Sequence, residues 1–291
     1  MKIFYYVFVV KAWALSKLPF FILYGISDFV TFILFHVVKY RTKVVFTNLR
    51  NAFPDKGEKE IKQIARQFYR HLADIFLEVI KTQGMSPKGI RRHFEFKNFE
   101  VLEPFIKEQR SIILATGHCG NWEWFGPFMS TYTELNAFAV VKPLSDKNFE
   151  TYLTKRRLQF SDKNRLIDFR TAFRDLISMR NEFNIIMIVG DQTPTRDEIH
   201  YWTSFLNQET AVFLGIEKIS KFLDQPVVFM NLYRTKRGHY CIEFELITDK
   251  PKETAEYEIT EAHVHLLEKA IYERPYNWLW SHRRWKHKRN P

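Results

Sequence analysis

The sequence predicts an α/β fold: a mostly parallel central sheet flanked by helices, with an N-terminal hydrophobic helical segment that anchors to a membrane. Three observations predict it. Short apolar runs alternate with helix-periodic stretches through the middle of the chain, the pattern of β-α-β units. Polar and apolar residues alternate only late and only in part, in one hairpin. The first forty residues carry two long apolar stretches before any amphipathic pattern begins.

The apolar stretches come first. Ile3 to Leu15 is interrupted only by Lys11, and Leu18 to Val38 has about the ~20 residues a bilayer span needs. No small-residue cleavage site with a polar region follows, so the segment reads as an anchor, not a cleaved signal peptide. Asp28 and His36 weigh against a span, since a charge at mid-bilayer costs at least ~2.5 kcal/mol. A helix lying in the interface, or a hairpin docked on the rest of the protein, competes with it. Lys39, Arg41, Lys43 and Arg50 mark the following side as cytoplasmic. The expected division is therefore an anchor over residues 1–40 and a catalytic domain over 41–291.

Beyond the anchor, Ile61 to Thr82 repeats apolar residues at helical spacing, from Ile61, Ile64 and Phe68 to Leu72, Ile75 and Val79. Strands are expected at Ile112 to Ala115, Ala137 to Val141, Ile185 to Val189 and Val227 to Leu232. Helices are expected at Trp122 to Tyr132, Asn148 to Phe160, Thr171 to Arg180 and Ala211 to Leu223. A turn at Arg237-Gly238 folds Tyr240 to Ile247 back as an antiparallel edge, and a last helix covers Ile259 to Glu273. Composition narrows the function. Of 291 residues 16% are aromatic, and the net charge is +11, a pairing that suits an anionic membrane surface. The 2 cysteines, Cys119 and Cys241, build no disulfide framework, so a reducing compartment is expected.

The strongest chemical signal is Ala115-Thr116-Gly117-His118-Cys119-Gly120-Asn121-Trp122-Glu123-Trp124. On a straight helix His118 and Glu123 would point ~140° apart. They meet only if the His lies in a turn at a strand end and the Glu in the first helical turn, with Gly117 and Gly120 permitting the turn. An imidazole oriented by a carboxylate activates a hydroxyl at neutral pH. Reactive groups in such sheets collect at the carboxyl ends of strands, where His118 falls.

Four blocks in order give the chain its resemblance to a known family. They are Arg41 to Pro54 (RTKVVFTNLRNAFP), Gly117 to Glu123 (GHCGNWE), Val189-Gly190-Asp191-Gln192 followed by Phe205-Leu206-Asn207, and Pro275 to Trp285 (PYNWLWSHRRW). With these the sequence resembles the lipid A biosynthesis (late) acyltransferases, within the lysophospholipid acyltransferase-like superfamily. The resemblance implies an acyl carrier protein thioester as donor, a hydroxyl of a lipid A precursor as acceptor, and work at the cytoplasmic face of a cell inner membrane. In that reading His118 is the general base and Glu123 orients it. The substrate supplies the nucleophile, so no acyl-enzyme is required.

Further candidates surround this pair. Asn121, or backbone N–H groups near Gly120, would stabilise the oxyanion. Asp191 and Gln192 end the Ile185 to Val189 strand and are assigned to the acceptor or to the neighbourhood of the pair, against the alternative of a turn or cap. Lys142, with Arg156 or Arg165, would contact substrate phosphate, against the alternative of a solvated charge. Cys119 is either a small packing residue or a thiol nucleophile. The sequence has no His-Glu-x-x-His, Walker A or dinucleotide fingerprint, so neither metal nor nucleotide cofactor is expected. Trp278 to Arg289 interleaves rings and cations, which suits packing, a membrane or carrier-protein contact, or less well a nucleic acid. Other acceptors, a different membrane glycolipid or an aminolipid, remain open, as does a non-catalytic membrane-tethered polyanion binder.

Overall fold

The computed structural model describes residues 2–132 and 136–289. Two apolar helices, α1 (Lys2–Ser16) and α2 (Phe20–Phe32), lead into a π-helical turn at Ile33–Val37 and then α3 (Thr42–Ala52). The long α4 (Glu58–Thr82) follows, with Asp74 and Glu78 among its buried residues. A short α5 (Pro87–Arg91) leads to β1 (Phe94–Lys97), and α6 (Glu103–Lys107) leads to β2 (Ile112–Thr116). Next come α7 (Trp122–Met129), β3 (Ala137–Val141), α8 (Lys147–Arg157), β4 (Arg165–Asp168), α9 (Ala172–Ser178) and β5 (Ile185–Val189). The chain continues through a separate β6 (Tyr201–Phe205)–β7 (Gln208–Val212) ribbon, α10 (Gly215–Leu223), β8 (Val227–Lys236), β9 (His239–Thr248) and α11 (Glu258–Glu273).

Seven strands form the main sheet in the order β1-β9-β8-β2-β5-β3-β4. All its pairings are parallel except β8 with β9. This is the mostly parallel sheet expected, and its central β2 and β5 are buried apolar runs over Ile112 to Ala115 and Ile185 to Ile188, as parallel strands covered on both faces require. One detail differs. The β8–β9 hairpin is interior, because β1 adds to its outer side with Phe94 opposite Tyr240. The Phe-Glu-Phe-Lys run of β1 is too short to announce itself by periodicity. The helix expected from Ala211 starts only at Gly215, since Ala211 and Val212 pair with Trp202 and Tyr201 in the ribbon.

Helices cover both faces. Trp124, Phe125 and Phe128 of α7 pack with Ile112, Leu114 and Met187 on one side. On the other, α9 and α10 enclose Ile113, Ile186 and Ile188. One described helical stretch, Phe20–Val37, is long and apolar enough to cross a membrane by length and composition.

Candidate active site

Strand register builds the site. β2 and β5 run parallel with Thr116 opposite Val189, and the Gly190 N–H donates to the Thr116 carbonyl at 3.0 Å. Both chains then leave the sheet in step, which sets His118 beside Asp191. Close approach requires Gly117 here: a Cβ at that position would sit 2.7 Å from a Leu267 methyl. Gly120 turns the chain into α7 with φ of +57°, and its missing Cβ leaves room for the Leu232 carbonyl.

The His118 imidazole is bonded at Nδ1 to Asp191 Oδ1 at 2.6 Å. Asp191 Oδ2 accepts two more bonds, from the His118 backbone N–H at 2.9 Å and the Trp278 indole N–H at 2.7 Å. Burial alone would raise the Asp191 carboxyl, but the imidazole and these donors hold it well below the usual carboxylate range. Burial alone would likewise lower His118, and the facing Asp191 charge with its hydrogen bond outweighs that, so the imidazole is raised above 6.5. An acceptor-only carboxylate on Nδ1 fixes the proton there and leaves Nε2 free to take one. Gln192 Nε2 stands 3.2 Å from that nitrogen, and the Trp122 ring meets the imidazole edge-on at 5.4 Å.

Glu123 has a different partner from the one the motif suggests. Both its oxygens are held by Arg157, at 2.7 and 2.8 Å, in a nearly buried bidentate pair. Glu123 follows Asn121, the N-cap of α7, and so lies in the first turn as expected. There the helix directs its carboxylate to α8, while the β2–β5 register has already brought Asp191 to Nδ1. The charge of Glu123 still raises the imidazole, and that of Arg157 lowers it.

The other candidates separate. Asn121 is fully buried and its amide is consumed: Nδ2 donates to Glu78 at 2.6 Å and Oδ1 accepts the Trp124 N–H. The Gly120 N–H is bonded to the Asn277 carbonyl. Both groups are therefore engaged within the fold. Gln192 is at the imidazole. Lys142 is exposed beyond β3, over the Phe169 ring. Arg156 packs on Tyr152 and donates to Gln159, away from His118; its sequence neighbour Arg157 is the cation whose charge acts on the imidazole. Arg165 opens β4 at the edge of the sheet. Cys119 is buried, its thiol raised by desolvation and by the Asp191 charge, and it bridges to Trp278, which fits packing and not an activated thiolate. Among the described residues no group of three His, Cys, Asp or Glu is placed to hold a metal ion.

The Trp-rich C-terminal block is a structural clasp. Trp278 and Trp280 are buried. Asn48 donates to the Trp280 and His282 carbonyls, Arg41 to that of Ser281, and Asn277 to that of Leu232. Thr193 reaches His282 and Arg284. All four sequence blocks thus converge around His118. Sequence reasoning missed Arg157 and the bond from Trp278 to Asp191. Arg157 carried no motif signal, being one of several cations at the end of a helix. Trp278 lay within a motif, but nothing local linked it to Asp191.

The family model for bacterial lipid A biosynthesis acyltransferases matches residues 1–287. A search of the curated proteins finds no match.

Proposed function

Because the chain belongs to the bacterial lipid A biosynthesis acyltransferase family, we propose that it moves a fatty acyl chain from an acyl carrier protein thioester to a hydroxyl of a lipid A precursor, with His118 as general base. The observation that supports this reading best is the 2.6 Å bond from His118 Nδ1 to Asp191. It presets the tautomer whose Nε2 accepts a proton, and its carboxylate stabilises the imidazolium that forms.

In this reading the acceptor hydroxyl replaces the Gln192 amide at Nε2. Its oxygen bonds to the thioester carbonyl carbon as its proton passes to His118. The tetrahedral intermediate collapses, the carbon–sulfur bond breaks, and the proton on Nε2 goes to the departing thiolate. Atoms and charge balance with no acyl-enzyme and no cofactor. Arg157, preorganised by Glu123, is assigned to the oxyanion or to a substrate phosphate. Glu123 acts here through its charge on the imidazolium and by fixing Arg157. We assign residues 1–40 to membrane attachment and 41–291 to catalysis, at the cytoplasmic face of the inner membrane.

Mass spectrometry of membrane lipids from cells with and without the gene tests the acceptor. Loss of one secondary acyl chain from lipid A, restored by wild type and not by His118→Ala, is the expected result. Unchanged lipid A would move the acceptor to another lipid. Full rescue by His118→Ala would remove the base from the mechanism.

A further inference from the structure

The N-terminal helices lie along the catalytic domain in a way that decides how they meet a membrane. α2 runs antiparallel to α4 and is bonded to it repeatedly. Lys81 donates to the Leu18 carbonyl at 2.6 Å, Tyr24 to Glu78 at 2.8 Å, Ser27 to Asp74 at 2.6 Å and Arg70 to Asp28 at 3.0 Å. From the β8–β9 turn, Arg237 holds both Asp28 and Asp74. The inner side of α2 is thus sealed by an ionic and hydrogen-bonded seam belonging to the catalytic domain. Ser27 and Asp74 in that seam are fully buried. α1 packs on α4 as well, with Ala12 buried in a cluster that includes Ile75, Val79 and Tyr152.

The outer sides are the opposite. Phe4, Val10 and Trp13 of α1, and Phe21, Phe29 and Phe32 of α2, are each more than half exposed. An apolar surface of this kind marks an interaction site. Exposed Lys11 and Lys17 lie at one end of the pair, and Lys39, Arg41 and Lys43 follow at the other.

We propose that α1 and α2 are a lipid-surface docking element that lies in the plane of one leaflet, embedding its outer apolar faces, and does not cross the bilayer. A spanning α2 would have to take Asp28, Asp74, Arg70 and Arg237 into hydrocarbon, or break the whole seam and leave Asp28 unpaired there. In the plane, every polar contact stays on the domain side, the aromatic faces enter the interfacial layer, and the flanking lysines meet anionic headgroups. The lipid-type acceptor of the family favours a lipid occupant over a protein one. α1 also adjoins the site: its cluster includes Trp122, which contacts the His118 ring. The docked face therefore borders the place where an acceptor would be drawn from the membrane. That last consequence rests on the acyltransferase reading; the topology does not, and either can fail alone.

The experiment uses the full chain carrying Lys17→Cys or Lys43→Cys, both exposed positions, with the buried native cysteines as background. A membrane-impermeant maleimide is applied to inside-out and right-side-out membrane vesicles. In-plane docking predicts that both positions label in inside-out vesicles and neither in right-side-out ones. Labelling of Lys17→Cys only from the right-side-out face, with Lys43→Cys only from the other, would mean a span and overturn the proposal. A second arm floats purified full-length protein with phosphatidylethanolamine–phosphatidylglycerol vesicles. Phe21→Asp combined with Phe29→Asp should lower vesicle binding at least about tenfold. Wild type that fails to bind vesicles, or forms a dimer through this face, would overturn the lipid assignment.

Discussion

Replacing Asp191 by Asn tests the orienting carboxylate directly, because the change preserves shape and removes one acceptor. Three N–H groups converge on Asp191: imidazole Nδ1 on Oδ1, and the His118 backbone and Trp278 indole on Oδ2. Asn has a single oxygen. Placed at the Oδ2 position it keeps two donors satisfied and turns its amide N–H toward Nδ1. The opposite orientation would face both other donors with N–H groups, costing about 1–3 kcal/mol for each buried group left unpaired. The first orientation therefore wins, and Nδ1 must become an acceptor. The imidazole proton then resides on Nε2, the nitrogen that should receive a proton. A wrong-tautomer base lowers kcat about 10⁴-fold, equivalent to roughly 5 kcal/mol in the barrier. The assay is acyl transfer by the purified full chain from an acyl carrier protein thioester, with product followed by mass spectrometry. The pH profile adds a second readout. In wild type the raised imidazole places the acid limb of kcat/KM above pH 6.5. Without the carboxylate, burial dominates and the limb should move to lower pH. Linkage carries the matching sign: the imidazolium–Asp191 pair contributes stability fully present below pH 6.5 and lost as pH rises through the raised value. If Asp191→Asn keeps kcat within about tenfold of wild type while Glu123→Gln abolishes it, the reasoning is refuted and Glu123 regains the orienting role.

Arg157→Lys keeps the charge but gives up the bidentate grip on Glu123; kcat should fall about 10²-fold with KM little changed, whereas a raised KM at constant kcat would mean ground-state binding only. Glu78, buried among Tyr24, Tyr240 and Asn121, is pushed by desolvation from 4.5 up to about 7. Its folded form keeps a proton that the unfolded chain releases, so stability should fall by about 3 kcal/mol as pH rises from below 4.5 through about 7. Glu78→Gln lacks that term: its thermal stability relative to wild type should improve between pH 5 and 8, and a pH-independent difference would show Glu78 ionised throughout. Trp278→Phe removes one donor to Asp191 and should lower His118-dependent activity more than stability, read as a kcat loss exceeding the drop in Tm would explain.

The parts of the molecule legible in sequence are those specified by local pattern. Ile112 to Ala115 and Ile185 to Val189 announce buried parallel strands because both faces are covered and every position is apolar. Ile61 to Thr82 announces a helix because its apolar stripe repeats at helical spacing. His118 stands out in the sequence because a histidine at a strand end between two glycines is a local arrangement. The carboxylate bonded to its Nδ1, Asp191, is not legible in that way, since the bond depends on strand order. The choice between Glu123 and Asp191 turns on β5 lying next to β2 with Thr116 opposite Val189, although β3 and β4 intervene in sequence. Asp191 was placed at the acceptor or beside the pair, and no periodicity could bring it the rest of the way. The helix boundary at Ala211 failed for a similar reason, because cross-strand pairing with Trp202 overrides the helical pattern that follows.

The same dependence explains why the four sequence blocks occur together. Each block alone is a poor site. The GHCGNWE turn needs Gly120 held open, and it is held by the Asn277 carbonyl on one side and His71 on the other. Burial and the Arg234 charge keep His71 down at about 3, so it serves there as a neutral hydrogen-bonding group. Asp191 needs its second oxygen occupied to stay ionised in a buried position, and the Trp278 indole joins the His118 backbone N–H as a donor to it. The Trp278 loop needs anchoring, and Asn48 and Arg41 provide it from α3. Removing one block therefore unseats the others, and the loss should appear first in the His118–Asp191 geometry. Packing far from His118 is in this way converted into one fixed imidazole tautomer, with the proton on Nδ1 and Nε2 left free. The N-terminal seam extends the chain of contacts one step further, since Glu78 holds both Tyr24 of α2 and Asn121 at the start of α7. The packing of α2 on α4 and the start of α7 beside the His118 turn thus share one buried carboxyl group, that of Glu78.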